Sequence, residues 1–128
     1  MKIIGIGVDI IQNSRIKKAI KNKYFVNRIF TKSEISGSKI RNDKTNYFAK
    51  RFAAKEAFIK SIGVGIRKGI NFKDIYVIND KFGKPNIKFS NKVNKLIIKK
   101  FKTRNFYIFL SLSDEKNYSI AFVIIQKK

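Results

Sequence analysis

The feature that most constrains this chain is the stretch from Thr45 to Ile62, which lacks proline and glycine, carries Ala49, Ala53, Ala54 and Ala57, and stops at Gly63. Such a run predicts one long helix, ended by a residue that tolerates left-handed backbone. Phe48, Phe52, Ile59 and Ile62 recur at helical spacing along it, so at least one stripe must be buried against other elements. Those elements read mostly as strands. Lys2 to Asp9 alternates small and β-branched residues, with Gly5 and Gly7 permitting close backbone approach. Ile75–Asn79 and Asn86–Phe89 read as two strands joined by the turn from Asp80 to Pro85, and Phe106–Ser113 and Tyr118–Gln126 as a terminal hairpin around Asp114 to Asn117.

Shorter helical pieces complete the order. One is expected from Asn13 or Ser14, either serving as N-cap, to about Lys21, with Ile16, Ala19 and Ile20 on one side. A second spans Phe25 to Phe30, and Thr31-Lys32-Ser33-Glu34 has capping-box spacing for another helix start. Asn91 to Phe101 reads as a basic amphipathic helix with Val93, Leu96, Ile97 and Phe101 inward, while Gly37–Lys44 and Gly63–Gly69 read as loops. The whole predicts a single α+β domain over residues 1–128, a largely antiparallel sheet packed with one long helix.

Composition narrows the chemistry. With no Cys and no His there is no disulfide, no thiolate or imidazole metal site, and no Ser/His or Cys/His nucleophile pair. The apolar run from Ile3 is cut short by Asp9 and no small-residue cleavage site follows, so the expected setting is cytoplasmic, with no membrane partner. A net charge of +22, from 30 Lys and Arg against 8 Asp and Glu, should attract polyanions at low salt. A basic nucleic-acid-binding module without enzymatic activity is therefore one alternative, supported by the interleaved rings and cations of Phe101 to Tyr107. Biased composition alone would produce the same charge.

Because acids are scarce, the two in apolar settings carry more information. Asp9 ends the first strand and Glu56 sits mid-helix beside the stripe, so the pair could share a divalent cation if the fold brings them together. Mg²⁺ suits one or two carboxylates, since it completes its octahedron with water and phosphate oxygens. The competing roles are structural: an i,i+4 pair between Glu56 and Lys60, and a local turn or cap at Asp9.

Several separated blocks resemble the holo-acyl-carrier-protein synthases of the 4'-phosphopantetheinyl transferase superfamily. They are Gly5-Ile6-Gly7-Val8-Asp9-Ile10 with Arg15-Ile16; Phe30 to Glu34; Arg51 to Ala57 with Lys60, Gly63, Gly65 and Ile66; Gly83-Lys84-Pro85; and Ser111-Leu112-Ser113 with Tyr118 and Ala121. The resemblance implies the phosphopantetheinyl transferase fold, assembled as a homotrimer with sites between subunits. It further implies Mg²⁺-dependent transfer of the 4'-phosphopantetheine arm of coenzyme A to a serine of an acyl carrier protein, releasing 3',5'-ADP and supporting fatty acid biosynthesis.

By the same resemblance, Asp9 and Glu56 bind the Mg²⁺ with the donor's diphosphate, and either Glu56 or a metal-bound water takes the serine proton. Lys60 stabilises the transferred phosphate. Arg51, Lys55 and Lys84 serve the remaining phosphates and the adenosine end, and Phe52, Gly63, Gly83 and Pro85 shape the nucleotide pocket. Arg15 docks the acidic carrier protein, with Lys18 and Lys21 joining it by charge complementarity. Nucleic acid would then bind only non-specifically. Where the family commonly has His after the Ser-Leu-Ser run, this chain has Asp114, which carries no catalytic role over.

Overall fold

In the computed structural model, which describes residues 1–63 and 69–128, the predicted long helix (Lys44–Ile62) lies across the inner face of a three-stranded antiparallel sheet. In chain order the elements are β1 (Lys2–Gln12), α1 (Asn13–Ala19), α2 (Lys23–Ile29), α3 (Lys32–Ser38), α4 (Lys44–Ile62), a 3-10 turn (Phe72–Asp74), β2 (Ile75–Asn79), β3 (Pro85–Phe89), α5 (Asn91–Phe101), β4 (Phe106–Asp114) and β5 (Tyr118–Lys127). The strand order β1-β5-β4 places the last strand between the first and the predicted hairpin partner, while β2 and β3 form a separate ribbon. The α+β class and the antiparallel pairing are as expected. Gly65 and Ile66, which carried part of the resemblance, lie outside the described residues.

Alternation decides which residues of β1 meet α4. Gly5, Gly7, Asp9 and Ile11 point inward, and a Cβ on Gly7 would run into the Ala57 carbonyl oxygen, as one on Gly5 would into that of Ser61. The two glycines let the strand and helix backbones touch. Asp9, two residues further along the same face, is thereby brought to the flank of α4. The helix is buried on far more than the expected stripe, since Ala49, Ala53, Ala54, Ala57, Phe58 and Ser61 are buried as well as Phe48, Ile59 and Ile62. It serves as the central element, with the sheet on one side and α3, β2 and the 3-10 turn on the other.

The local start and stop signals act as physical chemistry predicts, with one exception. Thr31 and Glu34 form the capping box of α3, Asp43 caps α4 through the Asn46 amide, Ser90 caps α5, and Gly63 closes α4 at φ 80° with its N–H on the Ile59 carbonyl. The exception is α1. Neither Asn13 nor Ser14 caps it; the N-cap is Gln12, without a side-chain bond, and the helix ends at Ala19 rather than Lys21. The reason is that β1 continues pairing through Gln12 with Tyr118, and the Asn13 side chain is used elsewhere. Its Nδ2 donates to the carbonyls of Glu115 and Lys116, and its Oδ1 accepts from Ser119 Oγ at 2.7 Å, gripping the β4–β5 turn. Among the described residues no helix is long and apolar enough to cross a membrane.

Candidate active site

Asp9 and Glu56 are brought together. Asp9 reaches the flank of α4 because the glycines hold β1 tight against it, and Glu56 is half-buried on that flank. Burial pushes the Glu56 carboxyl above its ordinary range, the nearby Asp9 charge pushes it further, and Lys60 partly offsets both. Lys60 does not make the i,i+4 pair with Glu56; its Nζ lies 3.2 Å from Asp9 Oδ1 and donates to the Val8 carbonyl at 3.1 Å. Asp9 is only 14% exposed and Lys60 55% exposed, so an inner carboxylate is screened by an ammonium at the rim.

Among the described residues no cluster of three or more potential metal ligands exists. Two neighbouring carboxylates, one of them half-buried, nevertheless fit a hard divalent cation, which would offset the burial and the Asp9 charge that raise Glu56 and leave coordination positions for water and phosphate. His-rich or thiolate-preferring metals have no ligands in this chain.

A second site lies on the other flank of α4. Glu56 follows Arg51 by five positions, which at about 100° per residue sets them about 140° apart around the helix. There a cavity of about 480 Å³ opens between the N-terminal half of α4, the end of β4 and the β2–β3 ribbon, walled by Arg41, Tyr47, Lys50, Arg51, Pro85 and Asp114 among others. Arg51 is 6% exposed, lies 3.7 Å over the Tyr47 ring, and has a buried Nε with no hydrogen-bond partner. Burial lowers the guanidinium from its usual value, yet an arginine stays protonated. With Lys50 beside it in the wall, the Arg51 cation favours an anionic ligand, while its Nε is itself sealed from the cavity.

The remaining candidates divide. Gly83, at φ 84°, and Pro85 line this cavity, whereas exposed Lys84 is absent from its wall and closes the ribbon turn through its backbone, its N–H donating to Asp80 Oδ1. Phe52 is not in the cavity wall; it stacks on Phe72 of the 3-10 turn with centroids 5.6 Å apart. Gly63 caps the helix beside Lys100 and is not among the residues walling this cavity. Arg15 and Lys18 are exposed on α1, and Lys21 is exposed in the turn beyond it.

Lys55 corrects the sequence reading most clearly. It has no exposure and cannot reach a phosphate, because its ammonium is wholly occupied by Glu34 Oε1 at 2.7 Å and by the carbonyls of Ile29 and Phe72. Burial lowers its pKa, opposed by Glu34. Glu34, equally buried, also accepts from Thr31 N and Val77 N, so the pair joins α2, α3, α4 and β2. The Tyr47 hydroxyl donates to the Glu34 carbonyl at 2.6 Å, linking this hub to the ring under Arg51. Glu34 was legible only as a cap. A lysine among the alanines of a buried helix is the signal that could have revealed its partner.

Residues 5–123 match the sequence profile of the 4'-phosphopantetheinyl transferase superfamily. The chain belongs to that superfamily. A holo-[acyl-carrier-protein] synthase of Pelagibacter ubique (strain HTCC1062) is 56% identical over 128 residues, the full length of both chains. The crystal structure of a holo-[acyl-carrier-protein] synthase from Neisseria meningitidis matches with TM-score 0.86 and 38% identity, covering 98% of this chain and 99% of that one. A holo-(acyl-carrier-protein) synthase from Bacillus anthracis str. Ames, in complex with CoA (3',5'-ADP), matches with TM-score 0.82 and 36% identity over 100% of both chains. As a member of the superfamily, the chain is an enzyme, a phosphopantetheinyl transferase with the holo-acyl-carrier-protein synthase fold.

Proposed function

We propose that this transferase moves the 4'-phosphopantetheine group from coenzyme A to a serine of apo acyl carrier protein, releasing 3',5'-ADP, in the cytoplasm and in support of fatty acid biosynthesis. The observation that carries this is the meeting of Asp9, Glu56 and Lys60 on one flank of α4, with an anion-seeking cavity on the other. Asp9 and Glu56 would hold Mg²⁺, which when bound neutralises charge on the donor's diphosphate oxygens. Lys60, kept at the rim by Asp9 and the Val8 carbonyl, adds positive charge for the phosphate being transferred. The serine oxygen forms a bond to the β-phosphorus as the bond to 3',5'-ADP breaks. Glu56 is the acceptor this chain itself offers for the serine proton, its raised affinity for a proton favouring that role. Arg51, with Gly83 and Pro85, would receive the nucleotide end of the donor.

In one protomer, Asp9 lies on the β1 edge of the sheet while the cavity opens at the β4 edge. A ring in which one protomer's carboxylates face a neighbour's cavity would complete the site, consistent with a homotrimer. The outer sheet face supports such packing, since Ile6, Val8, Ile10, Phe109, Ile120 and Phe122 are all exposed on it. Arg15, Lys18 and Lys21 present positive charge to an acidic carrier protein, and nucleic acid would be held only by salt-sensitive bulk charge. Mass spectrometry tests the activity. Apo carrier protein with coenzyme A and Mg²⁺ should gain the mass of one phosphopantetheine, and no gain from folded enzyme with a panel of acidic carriers would refute it.

A further inference from the structure

Among the groups walling the cavity, Asp114 has the wrong charge for an anionic ligand. It stands at the end of β4 where the wall otherwise presents Arg41, Lys50 and Arg51. Its Oδ2 accepts from Asn46 Nδ2 at 2.8 Å, and its Oδ1 lies 3.5 Å from Lys50 Nζ. Both partners belong to the first two turns of α4, so one carboxylate ties that helix to the strand end and neutralises Lys50. Asp43, the other acid in the wall, is engaged in capping α4 through the Asn46 N–H. Of the three cations, Lys50 is paired with Asp114, whereas Arg41 and Arg51 lie over the Tyr47 ring and make no ion pair among the described residues.

We propose that Asp114 is a resident counter-ion for Lys50, a specificity-determining residue with which the donor's 3'-phosphate must compete. This rests on the cavity being the donor's nucleotide site: the diphosphate belongs with Asp9 and Glu56, so the anion left for the cavity is the 3'-phosphate. Arg51, in the same wall, has no ion pair among the described residues to give up. Lys50 can turn a donor to that phosphate while still beside Asp114, but its charge is then shared between the two anions, and Asp114 faces the phosphate with like charge. The result is weaker retention of both donor and departing bisphosphate, and the effect falls on ligands that carry the 3'-phosphate. For a partly exposed ion pair, it should be about fivefold in affinity.

Calorimetric titration with adenosine 3',5'-bisphosphate and with AMP tests this on the full-length enzyme and on Asp114→Asn, Lys50→Met and the double variant. Asparagine keeps an oxygen for the Asn46 amide while removing the charge. Asp114→Asn should bind the bisphosphate about fivefold tighter, leave AMP within about twofold, and lose its gain in the Lys50→Met background. In turnover, KM should fall for coenzyme A and stay unchanged for dephospho-coenzyme A, a split that a merely structural role for Asp114 would not produce. Equal or weaker bisphosphate binding by Asp114→Asn, an equal gain for AMP, or a gain that survives Lys50→Met overturns the inference alone. Failure of the unaltered enzyme to bind the bisphosphate overturns the assignment of the cavity, and the inference with it.

Discussion

In its proposed role, Glu56 would oppose stability while serving function. A carboxyl whose folded-state pKa is raised holds more protons folded than unfolded between the two values, so its contribution is most favourable below the unfolded value and is lost as pH rises through the folded one. At neutral pH, without metal, ionised Glu56 beside Asp9 is therefore a liability. In chelator, Glu56→Gln should raise the melting midpoint by a few degrees near pH 7, with the gap closing as pH falls toward about 4. Mg²⁺ should raise the midpoint of the unaltered protein and leave Glu56→Gln unmoved, and transfer by the variant should be abolished. Calorimetric scans with and without metal check all but the last. At the buried Glu34–Lys55 pair the expectation is opposite: Glu34→Gln strands an unpaired ammonium and should cost about 3–5 kcal/mol in denaturant unfolding, with Glu34→Leu/Lys55→Met recovering much of it. Asp9 and Glu56 were legible as chemistry because acids are rare in this chain. That Lys55 pairs with Glu34 was not, because nothing local to residue 55 names a partner in α3.

At the scale of elements, the contact between β1 and α4 positions the site. Ala57 and Ser61 face Gly7 and Gly5 so closely that neither position has room for a methyl group. Gly7→Ala should force the strand off the helix, destabilising by about 1–3 kcal/mol and displacing Asp9. Transfer rate at saturating substrate should then fall further than the folded fraction does, which activity measured alongside circular dichroism separates. The elements themselves were readable where their signals are local: the capping box at Thr31, Gly63 at the end of α4, the turn residues between β2 and β3. The start of α1 was misread because long-range strand pairing carried β1 through Gln12 and gave Asn13 to a turn more than a hundred residues away.

For the whole molecule, the apolar outer sheet face and the proposed division of the site between two flanks of one helix require explanation together. If neighbours cover the face, Phe122→Lys on the central strand should shift sedimentation from trimer toward monomer and reduce transfer although the side chain is remote from Asp9's face. A monomeric unaltered enzyme with full activity would exclude the shared site. The net charge of +22 predicts that KM for the acidic carrier protein rises with salt far more steeply than KM for coenzyme A, which initial rates across a salt series would show.

By itself, the amino-acid sequence determined the kinds and order of elements, the pair of carboxylates, the exclusion of thiol and imidazole chemistry, and the family, because periodicity, caps and motif residues are properties of short segments. Only the tertiary structure decided that β5 lies between β1 and β4, that Lys60 bonds Asp9 rather than Glu56, that Lys55 is sealed against Glu34, and that Asp114 holds Lys50 at a cavity wall. Each of these is a contact between residues distant in the chain. Such partners are chosen by which surfaces pack and which charges are left without water, and neither is written in any one segment.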